Sequence, residues 1–380
     1  MKAAVLRQPR QLDWVDVSEP RLTAEHDVLI QVEACGICGS ELRYWEGDNP
    51  WALHTLGRHV PNPPNIILGH EYAGVVVKVN SPAYGHLLGR RVGVQSFRTC
   101  GKCDFCCSGS QNLCRNTIHM GHAQGWGQMD YYPGAYAEYC LGWADLLFPI
   151  PEYVPLDEAA MADVVCVAVH VVGRPASLGA DVLCIGGGPI GLSIAQVAKA
   201  KGARRVFVSE PSPVAKEVLG RFDYITVIDP GADALGEALA RSGVRAVSSV
   251  FDTIGSGQII AEAAGLLSER GTYVNVAVHD TPVALNVAVL GSERTLTSSS
   301  NATYGDVREA YDLICSGKVN VRPMITHRLA LSEYARGFDL LLRSPKEAFK
   351  VVLCPQSAGN EGEGRLERRR TGVWGGCRWP

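Results

Sequence analysis

Two patterns of hydrophobic and polar residues divide the 380-residue chain. The first part contains short apolar or alternating segments that are separated by turn residues such as Asn49-Pro50. Segments of this kind predict β-strands, here over residues 2–6, 28–34 and 73–79. Between the last two, the proline-rich segment 50–67 predicts an extended surface loop.

From about residue 156 onward, buried strands alternate with helices. Apolar runs predict strands over 181–185, 205–209, 247–252 and 273–277, and helical periodicity predicts helices over 190–200 and 259–267. This alternation is typical of βαβ units, in which parallel strands form one sheet. After residue 297 the pattern predicts a helix over 307–316 and closing strands that continue to residue 352.

Composition and charge exclude several classes of protein. With 46% hydrophobic and 20% charged residues, the chain is typical of globular proteins. Its net charge of -3 provides no basic surface for nucleic acid or anionic membranes. The longest apolar run, 164–172, is interrupted by His170 and is too short to span a bilayer. No secretory signal is recognisable at residues 1–10, so we expect a cytoplasmic protein with no nucleic-acid or membrane partner.

The segment 356–380 differs in kind from the rest of the chain. From Ser357 onward it contains six glycines and five arginines without apolar periodicity, so it cannot bury enough surface to offset its ordering entropy. We predict a disordered tail. A nucleic-acid-binding arm is the alternative, but acidic residues accompany the three arginines at 368–370.

The spacing of four cysteines predicts a metal site. The chain has 13 cysteines, an odd number, and a C-x2-C-x2-C-x7-C pattern is formed by Cys100, Cys103, Cys106 and Cys114. Such spacing aims successive sulfurs at one point, and four thiolates complete the tetrahedral shell of Zn2+. This zinc site is structural, since no coordination position stays open. A set of reduced or disulfide-paired thiols is the alternative, and Cys107 falls outside the spacing.

A glycine-rich motif follows the first predicted strand of the second part. Gly186, Gly188 and Gly191 form G-x-G-x-x-G. In this motif the first glycine permits a tight turn, the second lets a pyrophosphate approach, and the third lets helix and strand pack closely. Pro189 and Ile190 begin the helix whose N-terminus would meet the phosphates. A plain structural turn is the alternative.

An acidic residue follows at the position expected for ribose binding. Glu210 ends the next predicted strand, near the spacing of about 20 residues that is expected after the glycine motif. Its carboxylate would repel a 2'-phosphate. The sequence therefore predicts NAD, not NADP, as the cofactor.

Taken together, these motifs resemble the zinc-dependent medium-chain dehydrogenase/reductase family, specifically the polyol and diol branch of sorbitol, 2,3-butanediol and threonine dehydrogenases. The resemblance covers about residues 1–355. Its landmarks are the four-cysteine loop, GICGSE at 36–41, GHEYAG at 69–74, GGGPIG at 186–191 and SGKVNVRPMITHRLAL at 316–331. It implies an α/β fold with a GroES-like, β-rich catalytic domain (1–155 and 298–355) and a doubly wound Rossmann domain for NAD binding (156–297). The active site would lie in the cleft between them.

The same resemblance implies a second, catalytic zinc site. Cys38, His70 and Asp163 fall on the positions of the zinc ligands, and Glu71 falls on a carboxylate that in several members binds the metal when substrate is absent. Ser40 matches a hydroxyl that relays the proton released from the alcohol. One thiolate, one imidazole and one carboxylate leave a coordination position open for the substrate oxygen, whose pKa the metal lowers. We therefore expect two Zn2+ per chain.

Two positions near Cys38 depart from the family pattern. The family commonly has Asp three residues and His five residues after the metal-binding cysteine, whereas this chain has Glu41 and Arg43. Arginine does not titrate near neutral pH, so a proton relay that ends in histidine is not supported here. Tyr44 is a further candidate for contact with substrate hydroxyls.

The predicted activity is NAD-dependent oxidation of a secondary alcohol to its ketone, with a vicinal diol, polyol or cyclitol-like substrate. The expected cleft-lining residues are Trp45, Trp51, His54, His119 and Trp126. Family members are dimers or tetramers, which implies a homodimer or homotetramer. Two alternatives stay open: a zinc-free quinone or enoyl reductase of the same superfamily, and a non-catalytic binding protein that keeps the fold.

Overall fold

The computed structural model describes residues 1–232, 234–278, 282–343 and 346–355. The predicted tail, 356–380, lies outside the described residues. In chain order the strands are β1 (Lys2–Gln8), β2 (Gln11–Asp16), β3 (Asp27–Gly36), β4 (Ile66–Ile67), β5 (Glu71–Val79), β6 (Arg91–Val94), β7 (Phe97–Arg98), β8 (Ile118–His119), β9 (Tyr139–Trp143), β10 (Leu147–Pro149), β11 (Asp181–Ile185), β12 (Arg205–Ser209), β13 (Ile225–Ile228), β14 (Val247–Asp252), β15 (Leu267–Asn275), β16 (Thr295–Ser298), β17 (His327–Ala330) and β18 (Val351–Cys354).

The α-helices are α1 (Gly39–Glu46), α2 (Pro50–Leu56), α3 (Asp104–Cys107), α4 (Leu156–Ala160), α5 (Ala162–Val172), α6 (Pro189–Ala200), α7 (Pro213–Leu219), α8 (Leu235–Arg241), α9 (Gly257–Gly265), α10 (Tyr304–Cys315) and α11 (Tyr334–Leu342). Within the described residues, none of these helices has the length and hydrophobicity needed to cross a membrane.

One sheet is parallel, in the order β13-β12-β11-β14-β15-β16. Parallel neighbours need a crossover connection, and helices α6 to α9 supply it between strands β11 to β15. The strand order reverses between β11 and β14. In sheets of this type, ligands bind at the carboxyl ends of the strands where the order reverses.

A second, larger sheet has the order β10-β6-β5-β3-β18-β17, with β9 also paired to β3. Its central strand β3 is antiparallel to both β5 and β18. As a result, Gly36 at the end of β3 pairs with Glu71 on one side and with Val352 on the other. Three distant stretches of the chain, near residues 36–41, 70–71 and 350–352, therefore meet at one end of this sheet.

A continuous hydrophobic core joins the two sheets. Buried side chains of α5, α6 and α10 belong to one cluster with Val182 and Val206 of the parallel sheet and with Ala34 and Ala73 of the larger sheet. Helix α5 is buried along most of its length and carries Asp163 in its first turn. The helix thus places an acidic side chain at the junction of the two parts.

The prediction of an extended loop over 50–67 is wrong for its first seven residues. Pro50–Leu56 forms helix α2, and the Asn49 side chain accepts a hydrogen bond from the Ala52 N–H at its start. Proline lacks a backbone N–H, but an N–H at the first helical position has no partner within the helix. Proline is therefore favourable at this position. Burial of Trp51 and Ala52 then stabilises the helix.

Candidate metal and cofactor sites

The cysteine-rich loop brings its sulfur atoms together. Four Sγ atoms lie within 4.8 Å of one another, those of Cys100, Cys103, Cys106 and Cys114. All four are free thiols, and the exposed Cys107 lies outside the group. The backbone of Lys102 lowers the pKa of Cys100 to about 6, which favours its thiolate, whereas burial and hydrogen bonding among the thiols raise the pKa of Cys103 to about 11. The loop geometry therefore fits a closed, tetrahedral metal site.

A second group combines a thiol, an imidazole and a carboxylate. Cys38, His70 and Glu71 each place one potential ligand atom within 4.8 Å of the other two. The strand pairing explains this, because Cys38 follows the end of β3 and the other two lie at the start of β5. His70 and Glu71 are buried, whereas Cys38 is half-buried. Separations of this size allow one ion with Zn–S and Zn–N distances of about 2.3 and 2.0 Å.

Glu41 holds the His70 ring from the side away from Asp163. Its Oε1 lies 3.0 Å from His70 Nδ1, while Oε2 accepts hydrogen bonds from the Cys38 N–H at 3.0 Å and the Tyr136 hydroxyl at 2.5 Å. Burial opposes the charged imidazole, but the Glu41 carboxylate raises the pKa of His70. A carboxylate on one ring nitrogen is the usual arrangement behind a metal-binding histidine.

Asp163 lies at the border of this group. Its Oδ2 is 3.8 Å from His70 Nε2, and its Oδ1 accepts a hydrogen bond from the Ser96 hydroxyl at 3.0 Å. Burial raises the pKa of Asp163, partly offset by the nearby His70. The structure thus brings Cys38, His70 and Glu71 into one tight group and leaves Asp163 beside it.

Glu71 forms a buried ion pair that the sequence analysis missed. Lys350 Nζ lies 2.8 Å from Glu71 Oε1 and 2.5 Å from Oε2, and it also donates to the Ile37 carbonyl at 2.9 Å. Both side chains are at most 3% exposed. Gly36 leaves the space for this carboxylate, because a Cβ there would lie 2.1 Å from Glu71 Oε2. The pair holds Glu71 next to the possible metal position.

A different structural constraint explains glycine at each position of the G-x-G-x-x-G motif. Gly186 has a φ of +87°, which favours glycine. A Cβ on Gly191 would lie 1.9 Å from the Gly186 carbonyl oxygen, whereas one on Gly188 would meet no atom within 4 Å. Helix α6 starts directly afterwards at Pro189. The space at Gly188, in front of a helix N-terminus, fits a phosphate group.

The carboxylate of Glu210 lies against the glycine turn. Its Oε2 accepts a hydrogen bond from the Gly187 N–H and its Oε1 accepts one from the Ser212 N–H, each at 2.7 Å. These bonds hold the carboxylate at the carboxyl end of β12, next to the strand where the sheet order reverses. The sequence prediction of an acidic group beside the phosphate turn agrees with this geometry.

A cavity of about 210 Å³ extends from the group of Cys38, His70 and Glu71 to the start of helix α6. Cys38, His70, Glu71 and Asp163 form one part of its wall, and Ile190 at the start of α6 and Val278 form another. Of the predicted lining residues, Trp51, His54 and His119 are in the wall, and so is Ser40, the predicted proton-relay residue. The Ser40 hydroxyl has no hydrogen-bond partner among the described residues.

Three predicted substrate contacts are wrong. Trp45 packs edge-on against Phe338 of α11, and Trp126 stacks on Trp143. Tyr44 is buried, and its hydroxyl donates to Asn49 Oδ1 at 3.1 Å. Aromatic residues near a motif are as easily used in the core as in a cleft, and sequence proximity does not distinguish the two uses.

Arg43 connects the two parts of the molecule at the cleft. Its Nη1 donates to the Val278 carbonyl at 3.0 Å, and its guanidinium lies 3.3 Å from Asp48 Oδ2. Residue 43 therefore bridges α1 and the segment after β15.

Two family models match the chain. The model of the "Alcohol dehydrogenase GroES-like domain" matches residues 24–152, and the model of the "Zinc-binding dehydrogenase" family matches residues 189–316. The chain belongs to the zinc-binding alcohol dehydrogenase family. This zinc-binding dehydrogenase has the predicted combination of a GroES-like domain and a Rossmann domain, so the fold class and the family are confirmed. Its relatives are named as dehydrogenases and reductases, and the chain is an oxidoreductase.

Curated relatives span nearly the whole chain of this dehydrogenase. An L-threonine 3-dehydrogenase from Deinococcus deserti is 30% identical over 93% of this chain and 98% of its own length. A probable D-xylulose reductase A from Aspergillus clavatus is 30% identical over 88% of this chain and 91% of its own.

Solved structures of similar proteins agree with the fold. A protein described as a short chain alcohol dehydrogenase from Escherichia coli CFT073, complexed with NADH, has a TM-score of 0.79 at 25% identity and covers 93% of this chain and 99% of its own. A putative zinc-binding dehydrogenase from Sinorhizobium meliloti 1021, bound to NADP, has a TM-score of 0.80 at 25% identity with the same coverage.

Proposed function

We propose that this dehydrogenase uses zinc and NAD to oxidise a secondary alcohol of the polyol, diol or cyclitol type to its ketone. The observation that carries the proposal is the shared cavity. One part of its wall holds Cys38, His70, Glu71 and Asp163, and another part holds Ile190 at the start of α6. An alcohol in this cavity would contact the metal residues and the cofactor side at once.

The ligand atoms of Cys38, His70 and Glu71, which lie within 4.8 Å of one another, support a catalytic zinc ion, and Asp163 beside them would supply the carboxylate that the family resemblance predicts as a ligand. Held by these residues, zinc would supply a Lewis acid for the alcohol oxygen, and NAD would supply the hydride acceptor. Glu41 fixes the His70 ring, which lets Nε2 face the metal position. The unpartnered Ser40 hydroxyl in the cavity wall supports its role as acceptor of the alcohol proton.

A second zinc ion held by the four-cysteine loop would be structural, because its four thiolates leave no open position. The loop is anchored to the rest of the molecule by Asn112, whose side chain donates to the Ser300 carbonyl at 2.9 Å. Zinc binding in the loop would therefore also stabilise one wall of the cleft, to which Asn112 contributes.

Glu210 supports NAD as the cofactor. Its carboxylate is fixed beside the glycine turn, where it would accept hydrogen bonds from the adenosine ribose and repel a 2'-phosphate. We expect Glu210→Gln to lower the ratio of kcat/KM with NAD to kcat/KM with NADP by about 10-fold or more, because the repulsion is lost. An unchanged ratio would contradict the assignment of Glu210.

A panel of alcohols tests the proposal as a whole. Zinc-loaded protein is mixed with NAD and with diols, polyols or cyclitols, and NADH absorbance is followed. Metal analysis of the same sample should give two zinc ions per chain. Absence of NAD reduction across the panel would overturn the proposal, and a single zinc ion per chain would favour the non-catalytic alternative.

A pair of glycine variants tests the cofactor site separately. Gly188→Ala places its methyl group in the open space, so it should weaken NADH binding and leave the thermal unfolding midpoint unchanged. In Gly191→Ala the new methyl group would collide with the Gly186 carbonyl, so this variant should have both a lower NADH affinity and a lower thermal unfolding midpoint. Tight NADH binding by Gly188→Ala would show that the phosphates do not approach this turn.

A further inference from the structure

His122 is a buried imidazole that the proposed chemistry does not use. It lies in the cavity wall and is 5% exposed, yet neither ring nitrogen has a hydrogen-bond partner among the described residues. Leaving a buried polar group unpaired costs about 1–3 kcal/mol. Such a group in a native protein calls for an explanation, and a ligand that supplies the missing hydrogen bonds is one.

His122 has a fixed place next to the proposed metal ligand. Its ring is stacked on that of His119, with centroids 4.1 Å apart and an interplanar angle of 7°. The centroids of His122 and His119 lie 5.3 and 5.6 Å from that of His70. If the oxygen of the alcohol group that is oxidised lies beside His70, a substituent on the adjacent carbon of the substrate can therefore reach the rings of His119 and His122.

The two rings offer hydrogen-bond donors and acceptors to the cavity. His119 Nδ1 is engaged by the Met120 carbonyl at 2.7 Å, so its Nε2 is the acceptor that stays available. Both ring nitrogens of His122 are without a partner among the described residues. A neutral imidazole presents one donor and one acceptor, which matches an alcohol hydroxyl.

Charged groups have no comparable partner in this cavity. Among the lining residues that the structure describes there is neither a lysine nor an arginine. Apart from the histidines, Ser40 and the proposed metal ligands, the polar wall residues are the uncharged side chains of Gln111, Asn112, Thr117 and Asn301. A carboxylate or phosphate directed towards His119 and His122 would thus lose its hydration without gaining a lysine or arginine partner.

We propose that His122, supported by the stacked His119, binds a second hydroxyl group of the substrate on the carbon next to the one that is oxidised. The site thereby selects vicinal diols and polyols over monohydric alcohols. This inference rests on the proposed dehydrogenase function and adds to it a residue that determines specificity.

The test compares two substrates that differ by one hydroxyl. kcat/KM is measured with 2,3-butanediol and with 2-butanol for the wild type, His122→Phe and His122→Gln. In His122→Phe we expect kcat/KM for the diol to fall about 3- to 10-fold, the size of one neutral hydrogen bond, with 2-butanol nearly unaffected. His122→Gln keeps a donor and an acceptor and should retain most of the preference for the diol.

His54→Phe provides the matched control. His54 also lines the cavity, but its Nε2 already lies 3.0 Å from the Ser300 hydroxyl. Its replacement should change kcat/KM for both alcohols by a similar factor. An equal loss for both alcohols in His122→Phe would overturn the proposal, since that is the effect of a merely structural histidine.

Failure of the proposed function gives a different result. Wild-type protein would then reduce NAD with neither alcohol. In that case, calorimetry with xylitol in the presence of NADH tests the subsite by binding alone. The inference requires weaker xylitol binding by His122→Phe than by the wild type and His122→Gln, and it is wrong if the three proteins bind equally or none binds.

Discussion

The two groups of potential metal ligands are built in opposite ways. The four cysteines at positions 100–114 come from one loop with few buried residues, and their sulfurs converge because the loop itself turns. Cys38, His70 and Glu71 come from two strand ends of the larger sheet and are backed by Lys350 from a third. The first group depends on local spacing, and the second depends on the pairing of β3 with β5 and β18.

This difference predicts which properties of the protein each group controls. A metal bound in the loop would replace a hydrophobic core that the loop lacks, so its loss should affect stability. The group at the sheet end lies in a scaffold that is already packed, so loss of a metal bound there should affect chemistry. Four predictions test this comparison.

Cysteine replacements separate the two groups most clearly. Cys38→Ser should lower kcat by at least about 100-fold, the upper range for loss of a partner of a metal ligand, and leave the thermal unfolding midpoint nearly unchanged. Cys103→Ser should lower the midpoint and remove one zinc ion. Turnover assays, calorimetric melts and metal analysis provide the measurements. Similar thermal unfolding midpoints for the two variants would contradict the prediction that, of the two metal sites, only the four-cysteine loop controls stability.

Removal of Lys350 should produce the largest loss of stability at the sheet end. Lys350→Met leaves the Glu71 carboxylate buried without its cation, and loss of one partner of a buried pair costs about 3–5 kcal/mol of unfolding free energy. The double variant Glu71→Gln/Lys350→Met should regain most of this loss. Denaturant titration measures both. A loss below about 1 kcal/mol, typical of exposed pairs, would contradict the importance of the buried pair.

Glu41→Gln tests the support of His70. The variant removes the charge that faces His70 Nδ1, and replacement of such outer partners lowers metal affinity or activity by about 10–100-fold. Zinc competition with a chelator measures the affinity. Tyr136→Phe, which removes only a hydrogen bond to the other carboxylate oxygen, serves as the control and should have the smaller effect. Equal zinc affinity in Glu41→Gln and the wild type would show that Glu41 is not needed.

A partly exposed ion pair gives the smallest effect. Asp181 accepts two hydrogen bonds of 2.7 Å from Arg205, a residue 36% exposed, and these bonds lower the pKa of Asp181. Asp181→Asn should cost about 1 kcal/mol or less. Because the folded pKa is depressed, the contribution is present above the unfolded pKa and is lost as pH falls through the folded one. Denaturant titration at neutral and acid pH should show the difference between variant and wild type only at neutral pH.

The sequence alone predicted the features that depend on local order. The strands at 181–185, 205–209 and 247–252 lie at the predicted positions, and the glycine motif has the expected geometry. The helix at Pro50–Leu56 was missed because proline enrichment was taken as evidence for a loop, although proline is also favourable at a helix start. The hydrophobic pattern therefore identified the strands of the parallel sheet correctly, but it did not distinguish a loop from a short helix that begins with proline.

The parts that sequence could not supply depend on contacts between distant residues. Lys350 follows Glu71 by 279 positions, and their contact exists only because β18 pairs with β3. A lysine between apolar residues was the available signal, but a long side chain beside a strand more often reaches solvent. Likewise, nothing in the spacing of His119 and His122 indicated that their rings stack beside His70.

The return of β18 to the centre of the larger sheet has a consequence for biosynthesis. During translation, the ribosome makes residues 36–71 before it makes Lys350. Glu71 therefore has no lysine partner until the intervening 278 residues have been added. The Glu71–Lys350 ion pair is thus one of the last contacts that can form as the chain is made, and nascent chains that stop short of residue 350 should lack it.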